Sequence, residues 1–116
     1  MDTGTRTQTE RNETMTKTEK IAEQLQKMFP KIHGIRTCEQ WNGNAKQIHL
    51  GDAAEGGVVD FDGQEIPAAD YYSYERDPLE HYYRADVSIP LYEAVKALGY
   101  TLEWYDPGTL LAYRIE

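Results

Sequence analysis

Apolar positions in this chain follow two rhythms, and each predicts an element. Ile21, Leu25, Met28 and Phe29 recur at spacings that put them on one side of a helix. Thr16 and Glu19 stand at its start in capping-box spacing, the hydroxyl bonding forward to an amide and the carboxylate bonding back. Pro30 stops it, so a helix is predicted over about 17–29. A second apolar stripe, Leu91, Val95 and Leu98, begins after Ser88, a candidate cap, with Pro90 in the first turn. Gly99 is placed to end it.

Elsewhere the rhythm is that of strands. Tyr100, Leu102 and Trp104 alternate with Thr101, Glu103 and Tyr105. Asp106-Pro107-Gly108 supplies a turn, and Leu111, Tyr113 and Ile115 alternate on the return. Ile32–Trp41 and Lys46–Leu50 flank Asn42-Gly43, a dipeptide suited to a tight hairpin. Gly34 marks a candidate bulge. Val58–Phe61 and Gln64–Ile66 flank Asp62-Gly63 in the same way. A two-residue loop there sets Asp60 opposite Glu65, an unfavourable like-charge pair unless something positive lies nearby. Residues 67–87 show no period and contain Pro67 and Pro78, so they predict a long ordered loop whose tyrosines pack on the domain. The predicted order is α-β-β-β-α-β-β. It describes an α+β fold, a two-layer sandwich with a mainly antiparallel sheet of about five strands under two helices.

Composition trims this picture at the N-terminus. The first 18 residues contain seven threonines, and Met1 and Met15 are their only large apolar residues. Residues 1–15 are therefore expected to be a disordered tail, and residues 16–116 a single domain. No apolar stretch follows Met1, so no secretory signal is expected. Nor does any run approach membrane-spanning length. A lone cysteine, Cys38, suits a reducing cytoplasm.

Charge changes the picture more. The chain has 20 acidic and 12 basic residues, a net charge of −8. Ten of the acids lie between residues 52 and 86: Asp52, Glu55, Asp60, Asp62, Glu65, Asp70, Glu75, Asp77, Glu80 and Asp86. Only Arg76 and Arg84 oppose them there, so this segment carries the whole excess and the remainder is balanced. Such a segment repels a phosphate backbone, so direct nucleic-acid binding is disfavoured.

Within it, "DYYSYERDPLEHYY", residues 70–83, gathers five of the nine tyrosines. Tyrosine joins large contact area and low side-chain entropy to a polar tip, a combination favoured at interfaces. Asp70, Tyr71, Tyr72, Tyr74, Glu75, Asp77, Glu80, Tyr82 and Tyr83 are therefore the candidate partner-binding residues, for a basic protein surface. A DNA mimic is the sharp form of this reading. Duplex carries one charge per ~1.7 Å, hence roughly fifteen over the ~26 Å that a domain of this size spans. The net charge of −8 is about half of that, so mimicry needs the carboxylates gathered on one side. The plainer alternative is a solvated acidic face on a structural or homodimeric domain.

Enzyme and metal signals are weak. An EF-hand loop aligned on Gly63 needs ligands where Val58 and Ala69 stand. A calcium site of another kind would draw on Asp52, Glu55, Asp60 and Asp62. His33, His49 and His81 lack zinc-ligand spacing. Glu80-His81 beside Asp77 has acid–base chemistry without a nucleophile motif. "GDAAEGG" is glycine-rich but lacks the Gly-Lys-Ser/Thr end of a phosphate loop. No cofactor and no enzymatic activity are expected, with an enzyme or metal site around Asp52, Asp60, Asp62 and His81 as the minor alternative.

From "GDAAEGG" (51–57) through "PAADYY" (67–72) to "EWYDPGTLLAYR" (103–114), the chain resembles small acidic proteins of unassigned activity encoded on phages and plasmids. The resemblance implies a mobile-element setting, which includes inhibitors of host defence. It transfers no site residue.

Overall fold

The computed structural model describes residues 16–115. The expected tail, residues 1–15, lies outside the described residues.

Helix α1, Lys17–Met28, opens with the predicted capping box. Thr16 Oγ1 accepts from the Glu19 amide at 3.1 Å, and Glu19 Oε1 accepts from the Thr16 amide at 2.9 Å. The stripe differs from expectation at one position. Met28 is exposed, while Ala22 and Thr18 join Leu25 on the buried side. Thr18 can be buried because its hydroxyl shares a 2.8 Å hydrogen bond with the Tyr100 hydroxyl.

Strand β1, Ile35–Cys38, and strand β2, Asn44–Leu50, pair antiparallel, Ile35 facing Leu50 and Thr37 facing Ile48. Their connection corrects the Asn-Gly hairpin reading. A one-turn helix α2, Glu39–Asn42, intervenes, and Gly43 at φ 80° caps its C-terminus, with its amide on Glu39 O. The positive φ that glycine permits ends a helix here rather than turning a hairpin. Trp41 consequently lies on α2, not on a strand. The register irregularity of β1 falls at Thr37–Cys38 rather than at Gly34.

Strands β3, Val58–Phe61, and β4, Gln64–Pro67, form the expected hairpin around Asp62-Gly63. Asp60 does face Glu65. The positive group is Lys31, whose Nζ lies 3.1 Å from Asp60 Oδ1 and bonds Glu65 Oε2 as well. Strands β5, Tyr83–Arg84, and β6, Val87–Ser88, make a second small hairpin inside the segment expected to be a loop. Helix α3, Ile89–Ala97, comes next, with Ser88 as its cap residue and Pro90 in its first turn. The Ser88 hydroxyl makes no capping bond; its amide binds Ala68 O instead. Strands β7, Tyr100–Asp106, and β8, Thr109–Arg114, form the last hairpin.

The fold is α+β, as predicted, with different counts. Among the described residues, three helices accompany eight strands. Four strands form the main antiparallel sheet in the order β1-β2-β8-β7, and the other two pairs stand apart. One core joins them all. Leu25 of α1, Ile48 and Leu50 of β2, Val59, Ile66, Val87, Leu91 and Val95 of α3, Tyr100, Leu110 and Ala112 pack in a single buried cluster. The inward residues of β8 are therefore Leu110 and Ala112. Leu111 is buried as well but alternation points it to the opposite face, beside His49 and Glu103. On that face Trp41 meets the His49 ring at 5.3 Å and the Tyr105 ring at 4.9 Å, both edge-on.

The "GDAAEGG" turn joins the sheet to the β3–β4 hairpin. Gly51 takes φ 61°, and a Cβ there would stand 2.0 Å from His33 O, so no other residue fits. No helix among the described residues is long and apolar enough to cross a membrane.

Candidate protein-binding surface

The chain enters the tyrosine-rich segment from the core. Ala68 and Ala69 are buried, and their amides bind Gly57 O and Ala53 O. Asp70 then begins a compact turn. Its amide binds Asp86 O, its carbonyl accepts from the Ser73 amide, and its Oδ1 accepts from the Tyr72 amide at 3.0 Å. A short 3-10 turn spans Ser73–Glu75. Ser73 is buried, and its hydroxyl donates to Asp86 Oδ1 at 2.7 Å. Arg76 closes the turn with its guanidinium on Asp70 Oδ2.

Asp77 organises the second half of the loop. Its Oδ1 accepts from the His81 amide at 2.9 Å, and its Oδ2 from the Tyr82 and Tyr83 amides at 2.8 and 2.9 Å. Partial burial works against the charge, yet these three amides outweigh it and hold the carboxyl below its ordinary range. The Pro78–Glu80 tip bulges outward, with Glu80 at φ 55°. Tyr83 anchors the far end. It is buried in the core cluster and its hydroxyl donates to Pro67 O at 2.9 Å. Burial also raises the Tyr83 phenol above its usual value, so it stays a donor.

The nine predicted contact residues therefore separate. Tyr71, Tyr72, Tyr74, Glu75 and Glu80 are exposed, and Tyr82 is half-buried with its ring edge-on to Phe61. Asp70 and Asp77 brace the loop from within, and Tyr83 belongs to the core. The expectation that the tyrosines pack down holds for Tyr83 and half-holds for Tyr82. It is reversed for Tyr72 and Tyr74, which are 51% and 63% exposed. Tyr71 lies between Tyr72 and Trp104, 5.2 Å from each ring. Trp104 is fixed in turn by its indole N–H on Ala85 O at 3.1 Å.

Two contributors escape a reading of the sequence alone. Leu79, 77% exposed, stands at the loop tip next to Glu80. An apolar residue directly after Pro78 in a charged turn is the available signal. Trp104 reads locally as a strand residue, and nothing near it in the chain links it to Tyr71.

Two clefts flank the loop. One, of about 340 Å3, lies between the Gly56-Gly57 turn and Tyr71, Tyr72 and Pro107. The other, of about 370 Å3, lies between Gln64, Ile66, Asp77, Tyr82 and Tyr83. Pro67, Asp70 and Arg76 line both.

The acidic segment is less bare than its composition. Asp60 and Glu65 share Lys31, Asp70 holds Arg76, and Asp52 accepts from the His33 amide at 2.7 Å and faces its ring. Asp77 and Asp86 are engaged with amides and Ser73. Among the described residues, no three histidine, cysteine or carboxylate side chains converge as a metal site. No known protein family, curated protein or solved structure matches the chain.

Proposed function

We propose that the protein is a non-enzymatic binding module that docks the outer surface of residues 70–83 on a basic region of a protein partner. One observation carries this reading: the loop is braced from within while three of its five tyrosines, and Leu79, stay exposed. Asp70, Asp77, Ser73 and Asp86 hold the backbone, and Tyr71, Tyr72, Tyr74 and Leu79 remain exposed on it. A loop fixed in advance loses little entropy on docking, and aromatic anchors on it convert contact area into affinity. Glu75 and Glu80 stand beside these anchors with no cation paired to them among the described residues, and they favour a partner of positive sign.

DNA mimicry is the less favoured form. Lys31 and Arg76, both counted in the net charge of −8, sit directly on Asp60, Glu65 and Asp70, so these carboxylates do not form an unbroken anionic face, and the net charge stays at about half that of duplex. A mobile-element setting, as the resemblance implies, suits a small module of this kind, and the single buried Cys38 is compatible with a reducing cytoplasm.

The test is comparative capture from host lysate. Wild type and a Tyr72→Ala, Tyr74→Ala variant are immobilised at low and at high salt. A partner retained by wild type should be basic, should be lost at high salt, and should bind the variant about 2 kcal/mol more weakly if either tyrosine is a hot spot. Equal retention by both proteins would remove the tyrosine surface from the function.

A further inference from the structure

We propose that the two clefts meeting at Arg76 form a socket for an arginine side chain of the partner, and that Arg76 occupies the carboxylate at their junction in the free protein as an internal stand-in. The inference rests on the binding reading above and supplies its recognition chemistry.

The Asp70–Arg76 pair is asymmetric. The Asp70 side chain is only 13% exposed, while that of Arg76 is 71% exposed. The acceptor is also fixed and the donor is not. Asp70 is held by its own amide on Asp86 O and by the Tyr72 amide on its Oδ1. Arg76 has no other side-chain bond among the described residues. A carboxylate this withdrawn from water needs a counter-ion, because an uncompensated buried charge is costly. The loop supplies one from its own sequence, one of only two bases in the acidic segment.

The surroundings suit a guanidinium in particular. Tyr71 and Tyr72 wall one cleft, Tyr82 and Tyr83 wall the other, and Asp70 lies where they join. A planar guanidinium stacks on aromatic faces and binds a carboxylate through its fork, whereas an ammonium has only its charge. Glu75 and Glu80 draw a cationic segment to the site. Displacing Arg76 costs little, because an ion pair with so exposed a partner is weak and the released side chain is rehydrated. A partner's arginine therefore replaces Arg76 on Asp70, and Arg76 swings into solvent. The resident arginine lowers affinity for stray cations, so only a segment that also engages the tyrosines binds well.

Fluorescein-labelled nona-arginine and nona-lysine peptides test this by anisotropy at physiological salt. Arg76→Gln should bind nona-arginine about three- to tenfold more tightly than wild type, the range set by losing a partly exposed competing pair. The gain for nona-lysine should be smaller. Arg76→Lys retains a counter-charge and should fall between wild type and Arg76→Gln, so the comparison survives if Arg76→Gln folds poorly. Adding Asp70→Asn to either variant should abolish the preference for arginine. An equal gain for both peptides would reduce the effect to net charge and overturn the socket, as would no gain in either Arg76 variant. The socket and the binding reading fail separately. If Glu75→Lys, Glu80→Lys weakens nona-arginine binding while the Arg76 variants gain nothing, the acidic surface stands and the socket falls.

Discussion

The Asp77 carboxylate accepts from three successive amides, those of His81, Tyr82 and Tyr83, and so turns the chain from the exposed tip back to the core. Its pKa lies below the ordinary carboxylate value. A depressed pKa contributes stability that is present above the unfolded-state value and is lost as pH falls through the folded one. Asp77→Asn should therefore melt below wild type, with the gap widest above about pH 5 and closing toward about pH 2, around and below the ordinary value near 4. Melting curves across that range check it, and a gap independent of pH would mean that charge does not hold the turn. Lys31 works by similar local chemistry. It answers the Asp60–Glu65 conflict that the β3–β4 register creates. The conflict is legible in the sequence as a need for a cation, but which lysine or arginine meets it is not. Lys31 lies 29 residues before Asp60 in the chain, and only folding brings the two together.

At the scale of elements, the β5–β6 hairpin is the part built against local preference. Ala85 and Asp86 form its two-residue turn with φ 53° and 65°. Left-handed backbone suits Asn-Gly, and alanine there costs roughly 1 kcal/mol. The turn is held by tertiary bonds: Trp104 to Ala85 O, Ser73 to Asp86 Oδ1, and the Asp70 amide to Asp86 O. This is why the sequence reads as loop across residues 67–87, since no local signal favours a turn at Ala85-Asp86. Ala85→Gly should raise unfolding stability by about 1 kcal/mol with an unchanged denaturant slope. Chemical denaturation measures it, and a loss of stability would show that the alanine methyl makes a contact the turn requires. The Asn42-Gly43 signal fails differently. It correctly marks a positive φ at Gly43, but a left-handed glycine ends a helix as readily as it turns a hairpin, and the four residues of α2 take the helical alternative.

For the molecule as a whole, the tyrosines divide between stability and recognition. Tyr83 is buried and hydrogen-bonded to Pro67 O, so Tyr83→Ala should destabilise the fold by about 3–5 kcal/mol. Tyr74→Ala should change stability by less than about 0.5 kcal/mol, because the ring is 63% exposed. Thermal unfolding of the two variants separates the roles, and comparable losses would assign Tyr74 to the fold. The same division decides which charges belong in a binding experiment. Glu75 and Glu80 are suitable for reversal, whereas Asp77 is not, because a lysine there would remove the acceptor of three amides.

The sequence by itself determined the α1 cap, the β3–β4 and β7–β8 hairpins, the Asp60–Glu65 register and the α+β class. Each depends on residues a few positions apart or on one rhythm, so the chemistry is local. The folded form of the loop, which no rhythm in the sequence announces, decided which carboxylates are free to meet a partner: Asp70 and Asp77 are engaged within the turn itself, and Asp86 by Ser73 from across it. Asp70, Asp77 and Asp86 look like Glu75 and Glu80 in the sequence, but a carboxylate beside unpaired amides or a guanidinium is drawn into them, and one without such neighbours stays in water. Tertiary structure also set Tyr71 on Trp104, a residue remote in the chain, and made one exposed surface from two distant segments. Burial depends on what the whole chain packs around a residue, and no short stretch of it carries that information.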